Sequence, residues 1–210
     1  MRKLNKIVLA TSNRDKIEEF QALFKSYSEL EVIGANKIIR NPHQLQYAEK
    51  YSTYLENSIA KARLANQACH YPTLADDSGL EVEGLEGKPG VKSNRYAPPR
   101  PNMTQDQANV ELLLKELQGG KSRKAKFVCT LALQIEGILI HASGELHGTI
   151  SDTPRGINGF GYDPIFIPEG SNKTLAEMTA KEKNAISHRT QALKNLMTQV
   201  QSHEVVFAKP

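Results

Sequence analysis

Apolar positions along the chain switch repeatedly between strand-like runs and helical spacing. Residues 7–10 (IVLA) form a short apolar run, polar Thr11-Ser12-Asn13 follows, and Ile17, Phe20, Leu23 and Phe24 then recur at helical spacing. A buried strand, a turn and a helix are predicted, with Asn13 as the N-cap. Residues 31–39 (EVIGANKII) read as a second strand and residues 41–52, which lack an apolar period, as a loop. Thr53 and Glu56 have capping-box spacing, and the helix they start carries Leu55, Ile59, Ala62, Ala65 and Cys69 on its core side until Pro72. Residues 73–75 are apolar and run into Asp76-Asp77-Ser78-Gly79, predicted as a buried strand whose end delivers two carboxylates to a cleft.

The second half continues in the same way. Residues 83–101 are rich in glycine and proline, and a helix then begins at the box Thr104/Gln107, buries Val110, Leu113, Leu114 and Leu117, and stops at Gly119-Gly120. The sharpest alternation sets Ala125, Phe127, Cys129, Leu131, Leu133 and Ile135 against Lys124, Lys126, Val128, Thr130, Ala132 and Gln134. It predicts a long strand with one apolar face, which Glu136-Gly137 turns into an antiparallel hairpin with residues 138–150. Residues 151–173 mix glycine with Phe160, Tyr162 and Phe166, and a last helix is predicted from about 180 to 201, boxed by Thr179/Glu182 and buried through Ile186, Leu193, Leu196, Met197 and Val200. The pattern is that of an α/β protein with a mixed sheet.

Composition narrows this picture without changing it. The 210 residues are 39% hydrophobic and 24% charged, as in a globular chain of one domain. A net charge of +4 suits an anionic partner. The one dense basic run, Lys121, Arg123, Lys124 and Lys126, lacks interleaved aromatics and reads as a solvated turn rather than a nucleic-acid surface. Cys69 and Cys129 stand far apart with no zinc spacing, which indicates small core residues in a reducing compartment. The apolar run near the N-terminus is too short for a signal peptide, and no stretch has the length of a membrane span. A cytoplasmic protein is expected, with no nucleic-acid or membrane partner.

Three constellations carry candidate chemistry. Thr11, Ser12, Asn13, Arg14, Asp15 and Lys16 lie where a strand meets a helix start, so backbone N–H groups, the helix dipole and the Lys16 charge could hold phosphate, although the Walker pattern is absent. Glu49, Glu56, Asp76 and Asp77 could converge on a hard divalent cation, with Glu56 equally explained as a capping residue. Two abutting carboxylates need a metal, a proton or a basic neighbour, and such repulsion can raise one pKa and make a general base. Ser78 is outside any Gly-x-Ser-x-Gly nucleophile pattern. The third set is Phe160, Gly161, Tyr162 and Asp163 with Lys183 and Ser187-His188-Arg189, in which a ring could stack on a base while polar groups read its edge.

These residues sit in segments that resemble the noncanonical purine nucleoside triphosphate pyrophosphatases, the inosine triphosphatase or Ham1-like family. The matching motifs are TSNRDK at 11–16, ENSIAKA at 56–62, ADDSGLEVEGLEGKPGVKSNRYA at 75–97, PRGINGFGYDPIF at 154–166, AEM at 176–178 and EKNAISHR at 182–189. The resemblance implies an elongated two-lobed α/β fold over residues 1–200, a long curved mixed sheet flanked by helices, a cleft between the lobes, and a tail at 201–210. It implies a homodimer that hydrolyses dITP, ITP and XTP to monophosphate and pyrophosphate with Mg²⁺. It further implies that Asp77 and Lys16 are catalytic, Glu49 and Asp77 bind metal, Thr11 to Lys16 and Lys183 hold the triphosphate, Ser78 contacts substrate, and Phe160 to Asp163 with His188 and Arg189 form the base pocket. The chain departs from the family pattern at Tyr51, where glycine is common, at Ser58 and Asn94, where alanine is, and at Glu86, where glycine is. A non-catalytic nucleotide or RNA binder, and a broader nucleotide or dinucleotide pyrophosphatase acting on canonical or modified pyrimidines, are the competing readings.

Overall fold

The computed structural model describes residues 2–25, 30–203 and 205–207. Strands among them are β1 (Arg2–Leu4), β2 (Lys6–Leu9), β3 (Glu31–Gly34), β4 (Thr73–Val82), β5 (Lys124–Ile135), β6 (Ile138–Ile150), β7 (Phe166–Pro168) and β8 (Val205–Phe207). The α-helices are α1 (Arg14–Lys25), α2 (Tyr54–Cys69), α3 (Gln105–Glu116), α4 (Ala180–Ile186) and α5 (His188–Ser202). Six strands form one sheet in the order β3-β2-β4-β5-β6-β7, with β2 parallel to β3 and β4, and β6 antiparallel to β7. The α/β class and the mixed sheet are as expected. The segment after Val200 lengthens α5 and then supplies β8, parallel to β1, while Glu204 and residues 208–210 lie outside the described residues.

Packing divides the chain into two compact units, Met1–Asp77 with Cys129–Gly144 and Arg189–Pro210, and Ser78–Val128 with Glu145–His188. The division falls inside β4, between Asp77 and Ser78.

In the first unit the parity of the strands decides everything that follows. Ile7, Leu9 and Leu74 point to one face and pack with Phe20, Leu23 and Phe24 of α1, Leu193, Leu196 and Val200 of α5, and Cys129, Leu131 and Leu133 of β5. Val8, Ala10 and Ala75 point to the other face and pack with Ala62 and Ala65 of α2 and Ala132 of β5. Helices thus cover both faces, which is why Thr130, Ala132 and Gln134 are buried along with their odd-numbered neighbours and β5 has no solvent face here. Since side chains alternate along a strand, Asp76 shares the face of Leu74 and Asp77 that of Ala75.

The second unit packs Leu80 and Val82 of β4 against Val110, Leu113 and Leu117 of α3 and against Phe127, Ile150, Tyr162, Ile165 and Phe166. Glu136 and Gly137, at φ 38° and 88°, make the tight turn between β5 and β6. The basic run is largely engaged: Arg123 donates to the carbonyls of Ile150 and Ser151, and Lys126 pairs with Glu81 and Glu145.

Several local expectations are corrected. β4 continues through Asp76, Asp77, Ser78 and Gly79 to Val82, so the carboxylates sit in mid-strand; their charges have buried partners on each face, and the strand has no reason to end. β3 stops at Gly34, and residues 42–48 form a 3-10 helix in place of a loop. Helix α2 buries Asn57, Ser58 and Lys61 beside the expected Ala62 and Ala65, with Ile59 and Cys69 half-buried against the same core; of its predicted face, Leu55 is exposed. The last helix is broken at Ser187, whose backbone is extended, and Ile186 is exposed.

One backbone conformation leaves a mark on stability. Exposed Glu86 takes the left-handed conformation at φ 56° and ψ 40°. That conformation costs a residue with a Cβ about 1–2 kcal/mol, partly offset because glycine loses more entropy on folding. Glu86→Gly is expected to raise the melting temperature by about 1–4 °C, matching roughly 0.5–1 kcal/mol in a chain of this size; a lower melting temperature would contradict the strain argument.

Candidate active site

Strand β2 ends at Leu9 and α1 begins at Arg14, so residues 10–13 carry the chain from a strand end to a helix start. The Asn13 side chain accepts from the Lys16 N–H at 3.1 Å, as its predicted N-cap role requires, and the Thr11 hydroxyl accepts from the Asn13 N–H at 3.1 Å. Ser12, Arg14 and Asp15 are exposed, and Arg14 turns to Glu18 at 2.7 Å. Lys16, half-buried, places its ammonium 2.8 Å from Asp76.

Asp76 is the centre of a buried charge cluster on the α1 and α5 face. Its Oδ2 meets Lys16 and the Arg189 guanidinium, the latter at 3.5 Å, and its Oδ1 accepts from the Cys129 thiol at 3.2 Å. Arg189 also donates to Glu19 at 2.9 Å. Burial alone would raise the Asp76 pKa, but Lys16, Arg189 and Lys61 together hold it well below the carboxylate range. Burial would likewise lower Lys16, and Asp76 outweighs it, so the ammonium stays charged. Burial and Asp76 both hold the Cys129 thiol protonated, which keeps it a donor.

Asp77, one residue on and on the opposite face, meets α2. Its Oδ2 accepts from the Asn57 amide at 3.0 Å, and its Oδ1 lies 3.8 Å from the Lys61 ammonium. Lys61 also grips Glu49 at 2.5 Å. Here burial wins: the Asp77 pKa is raised to about 6, with Lys61 and Lys16 opposing the rise and Glu49 adding to it. Adjacent carboxylates are thereby split into one that stays ionised and one that can take up a proton near neutrality.

The residues fit a hard divalent cation. Glu49 and Asp77 already share one cation, the Lys61 ammonium, and both offer oxygen. No group of three or more His, Cys, Asp or Glu side chains gathers among the described residues. Two carboxylates would need completing by substrate phosphate and water, the usual arrangement for magnesium. Glu56 takes its capping role instead: the Thr53 hydroxyl accepts from its N–H and donates to its carboxylate.

In the second unit, the loop from Gly156 to Asp163 is pinned from several sides. Asp163 accepts from Lys183 at 2.6 Å and from the Phe160 N–H at 2.9 Å; Asp106 accepts from the Gly161 N–H at 2.7 Å; and the Asn158 amide donates to the Met178 carbonyl at 3.0 Å. Gly159, at φ 74°, leaves no space for a Cβ, which would lie 2.0 Å from the Asp163 carboxylate. The Lys183 ammonium sits 4.8 Å from the centre of the Phe160 ring. Tyr162 is buried and donates to the Ser93 carbonyl, so it serves the core, whereas Phe160 and Gly161 are half-buried and present surface. His188 stacks on Phe127 at 4.8 Å and 11°. Ser78 is half-buried and belongs to this unit.

Of the expected site residues, Asp77, Glu49 and Lys16 lie in the first unit, and Phe160, Gly161, Asp163 and Lys183 come together in the second. Arg189, expected beside the base-binding residues, is bound to Glu19 and Asp76 in the first unit. Sequence reasoning gave no role to Asn57, Lys61, Cys129, Glu19 or Asp106. The signal for two of them was present: Asn57 and Lys61 are four residues apart on one helix face alongside Ala62 and Ala65, and polar groups on an apolar stripe are retained when something buried needs them.

The sequence matches the family model described as the Ham1 family over residues 7–199. It is 46% identical over 189 residues to a dITP/XTP pyrophosphatase of Deinococcus deserti, covering 89% of this chain and 85% of the relative. It is 38% identical over 208 residues to a dITP/XTP pyrophosphatase of Aquifex aeolicus, covering 96% of this chain and 100% of the relative. Among solved structures, a HAM1 protein from Coxiella burnetii superposes with a TM-score of 0.77 at 38% identity, over 95% of this chain and 100% of that one.

Proposed function

The chain belongs to the Ham1 family, and from that membership we propose that it is a nucleoside triphosphate pyrophosphohydrolase that converts dITP, ITP and XTP to the monophosphate and pyrophosphate. The observation that carries the reading is the pair Glu49 and Asp77, two carboxylates gathered on the Lys61 ammonium with Asp77 buried and, in the metal-free chain, raised to about 6, in a chain whose curated relatives are dITP/XTP pyrophosphatases. A carboxylate so raised can accept the proton of an attacking water at neutral pH.

In the first unit, the turn from Thr11 to Lys16 is assigned to the triphosphate. The N–H groups at the start of α1 and the Lys16 ammonium supply positive charge, and Asp76 fixes where that ammonium sits. Asp77 takes the proton from water as it attacks the α-phosphorus, and pyrophosphate leaves. Mg²⁺, held by Glu49 and Asp77, would neutralise charge on the phosphates. In the second unit, the exposed side of Phe160 and the Gly161 backbone are assigned to the base. Asp163 and Asp106 hold that loop, and Lys183, paired with Asp163, adds positive charge for phosphate. Ser78 is assigned to substrate contact. His188, stacked on Phe127, fixes the start of α5, and Arg189 is assigned to the Asp76 cluster. A cytoplasmic homodimer is proposed with this activity; among the described residues no helix is long and apolar enough to cross a membrane.

Incubation with Mg²⁺ and separate ITP, dITP, XTP, ATP, GTP and CTP tests the reading, with products resolved by phosphorus NMR. Monophosphate and pyrophosphate should appear from the first three at least tenfold faster than from the others. Against ATP, a 6-oxo base satisfies a donor that adenine's amino group leaves unpaired, an effect able to give well over that ratio. Release of diphosphate and orthophosphate, or equal rates on ATP and GTP, would refute it.

A further inference from the structure

Asn57 is completely buried in the first turn of α2, and its side chain is used at both ends. The amide oxygen accepts from the Tyr51 N–H at 2.9 Å, while the amide nitrogen donates to the Tyr51 carbonyl at 3.3 Å and to the Asp77 carboxylate at 3.0 Å. One planar group thus grips the main chain two residues after Glu49 and, with the same nitrogen, a strand carboxylate twenty residues away in sequence. One turn further along α2, Lys61 bridges Glu49 and Asp77 through its ammonium.

We propose that Asn57 is the positioning residue that joins the Glu49 loop to Asp77, so that the two carboxylates form one preset pair of oxygen ligands. The inference rests on the assignment of Glu49 and Asp77 to a divalent cation. Lys61 alone cannot set that pair. Its attraction is non-directional and its long side chain would follow either carboxylate, whereas the amide fixes both the loop path and the carboxylate rotamer. The clamp places no demand on the side chain of residue 51. It uses only the N–H and C=O of residue 51, and Tyr51 is not among the residues with left-handed φ, so the backbone makes no demand for glycine there.

Manganese, followed by its electron paramagnetic resonance signal, is the probe for the ligand pair, and Glu49→Gln is the control for the metal assignment. Glu49→Gln should abolish tight manganese binding. Asn57→Ala should weaken it by about 10–100-fold, the range for partners that orient metal ligands, and should lower kcat for ITP with KM changed less than about threefold. Asn57→Ser, which leaves no amide to span the gap, should behave likewise. Wild-type manganese affinity in Glu49→Gln would overturn the metal assignment. Weakened binding in Glu49→Gln with wild-type binding in Asn57→Ala would overturn the role of Asn57 alone. Should neither Asn57 variant fold, the wild-type protein itself decides: hydrogen exchange at the Tyr51 amide should be slowed at least 100-fold relative to an open loop, and free exchange there would overturn the clamp.

Discussion

Asp77→Asn is expected to lower turnover of ITP by roughly 10²–10⁴-fold, the contribution of a positioned general base, and at the same time to stabilise the metal-free protein above about pH 4, with the full gain reached above about pH 6. Both outcomes come from one cause. The folded protein holds this carboxyl at about 6, above its value of about 3.9 in an unfolded chain. A carboxyl raised on folding contributes stability that is complete below the unfolded value and is lost as pH rises through the folded one. At pH 8 the ionised side chain therefore costs the metal-free fold up to about 3 kcal/mol, and the neutral amide escapes that cost. Urea unfolding of both proteins at pH 5 and pH 8 without metal should show the variant's gain about twice as large at pH 8 as at pH 5. Nucleotide binding should persist. A variant that keeps turnover within tenfold of wild type would remove Asp77 from the reaction, and equal stability at both pH values would remove the burial argument.

The neighbouring substitution should act in the opposite sense. Asp76→Asn leaves Lys16 and Arg189 without the carboxylate between them on a buried face, and stranding buried charge costs about 3–5 kcal/mol. Arg189 keeps Glu19, which limits the loss on that side. Folding lowers the Asp76 pKa, so its contribution is present above about 3.9 and is lost as pH falls below it towards the folded value. The difference between wild type and Asp76→Asn in urea should accordingly be largest at neutral pH and shrink in acid. In the double variant with Lys16→Met the two losses should fail to add, because the two side chains share one interaction. Additive losses would show that Asp76 and Lys16 stabilise the fold separately.

The element pattern was largely legible in the sequence because burial acts on it locally. The strand at 7–10, the N-cap at Asn13, the boxes at Thr104 and Thr179 and the turn at Glu136-Gly137 each rest on neighbours a few residues apart, and all are present. Errors came where distant partners intervened. The buried face of α2 takes in Asn57 and Lys61 beside its apolar residues because they answer buried Asp77 and half-buried Glu49. The carboxylate pair lies in mid-strand because its balancing charges come from residues distant in sequence.

The sequence by itself determined that Asp76 and Asp77 are adjacent, that they follow an apolar run, and that they belong to a recognisable set of motifs. Adjacency in a strand already requires opposite faces. What each face holds was decided only by the tertiary structure: Lys16, Arg189 and Cys129 around Asp76, and Lys61 and Asn57 around Asp77. Ionisation depends on burial and on the charges within a few ångströms, and both are properties of the packed chain. Two identical side chains one residue apart thus acquire opposite shifts, and with them the separate tasks of holding a lysine and taking a proton.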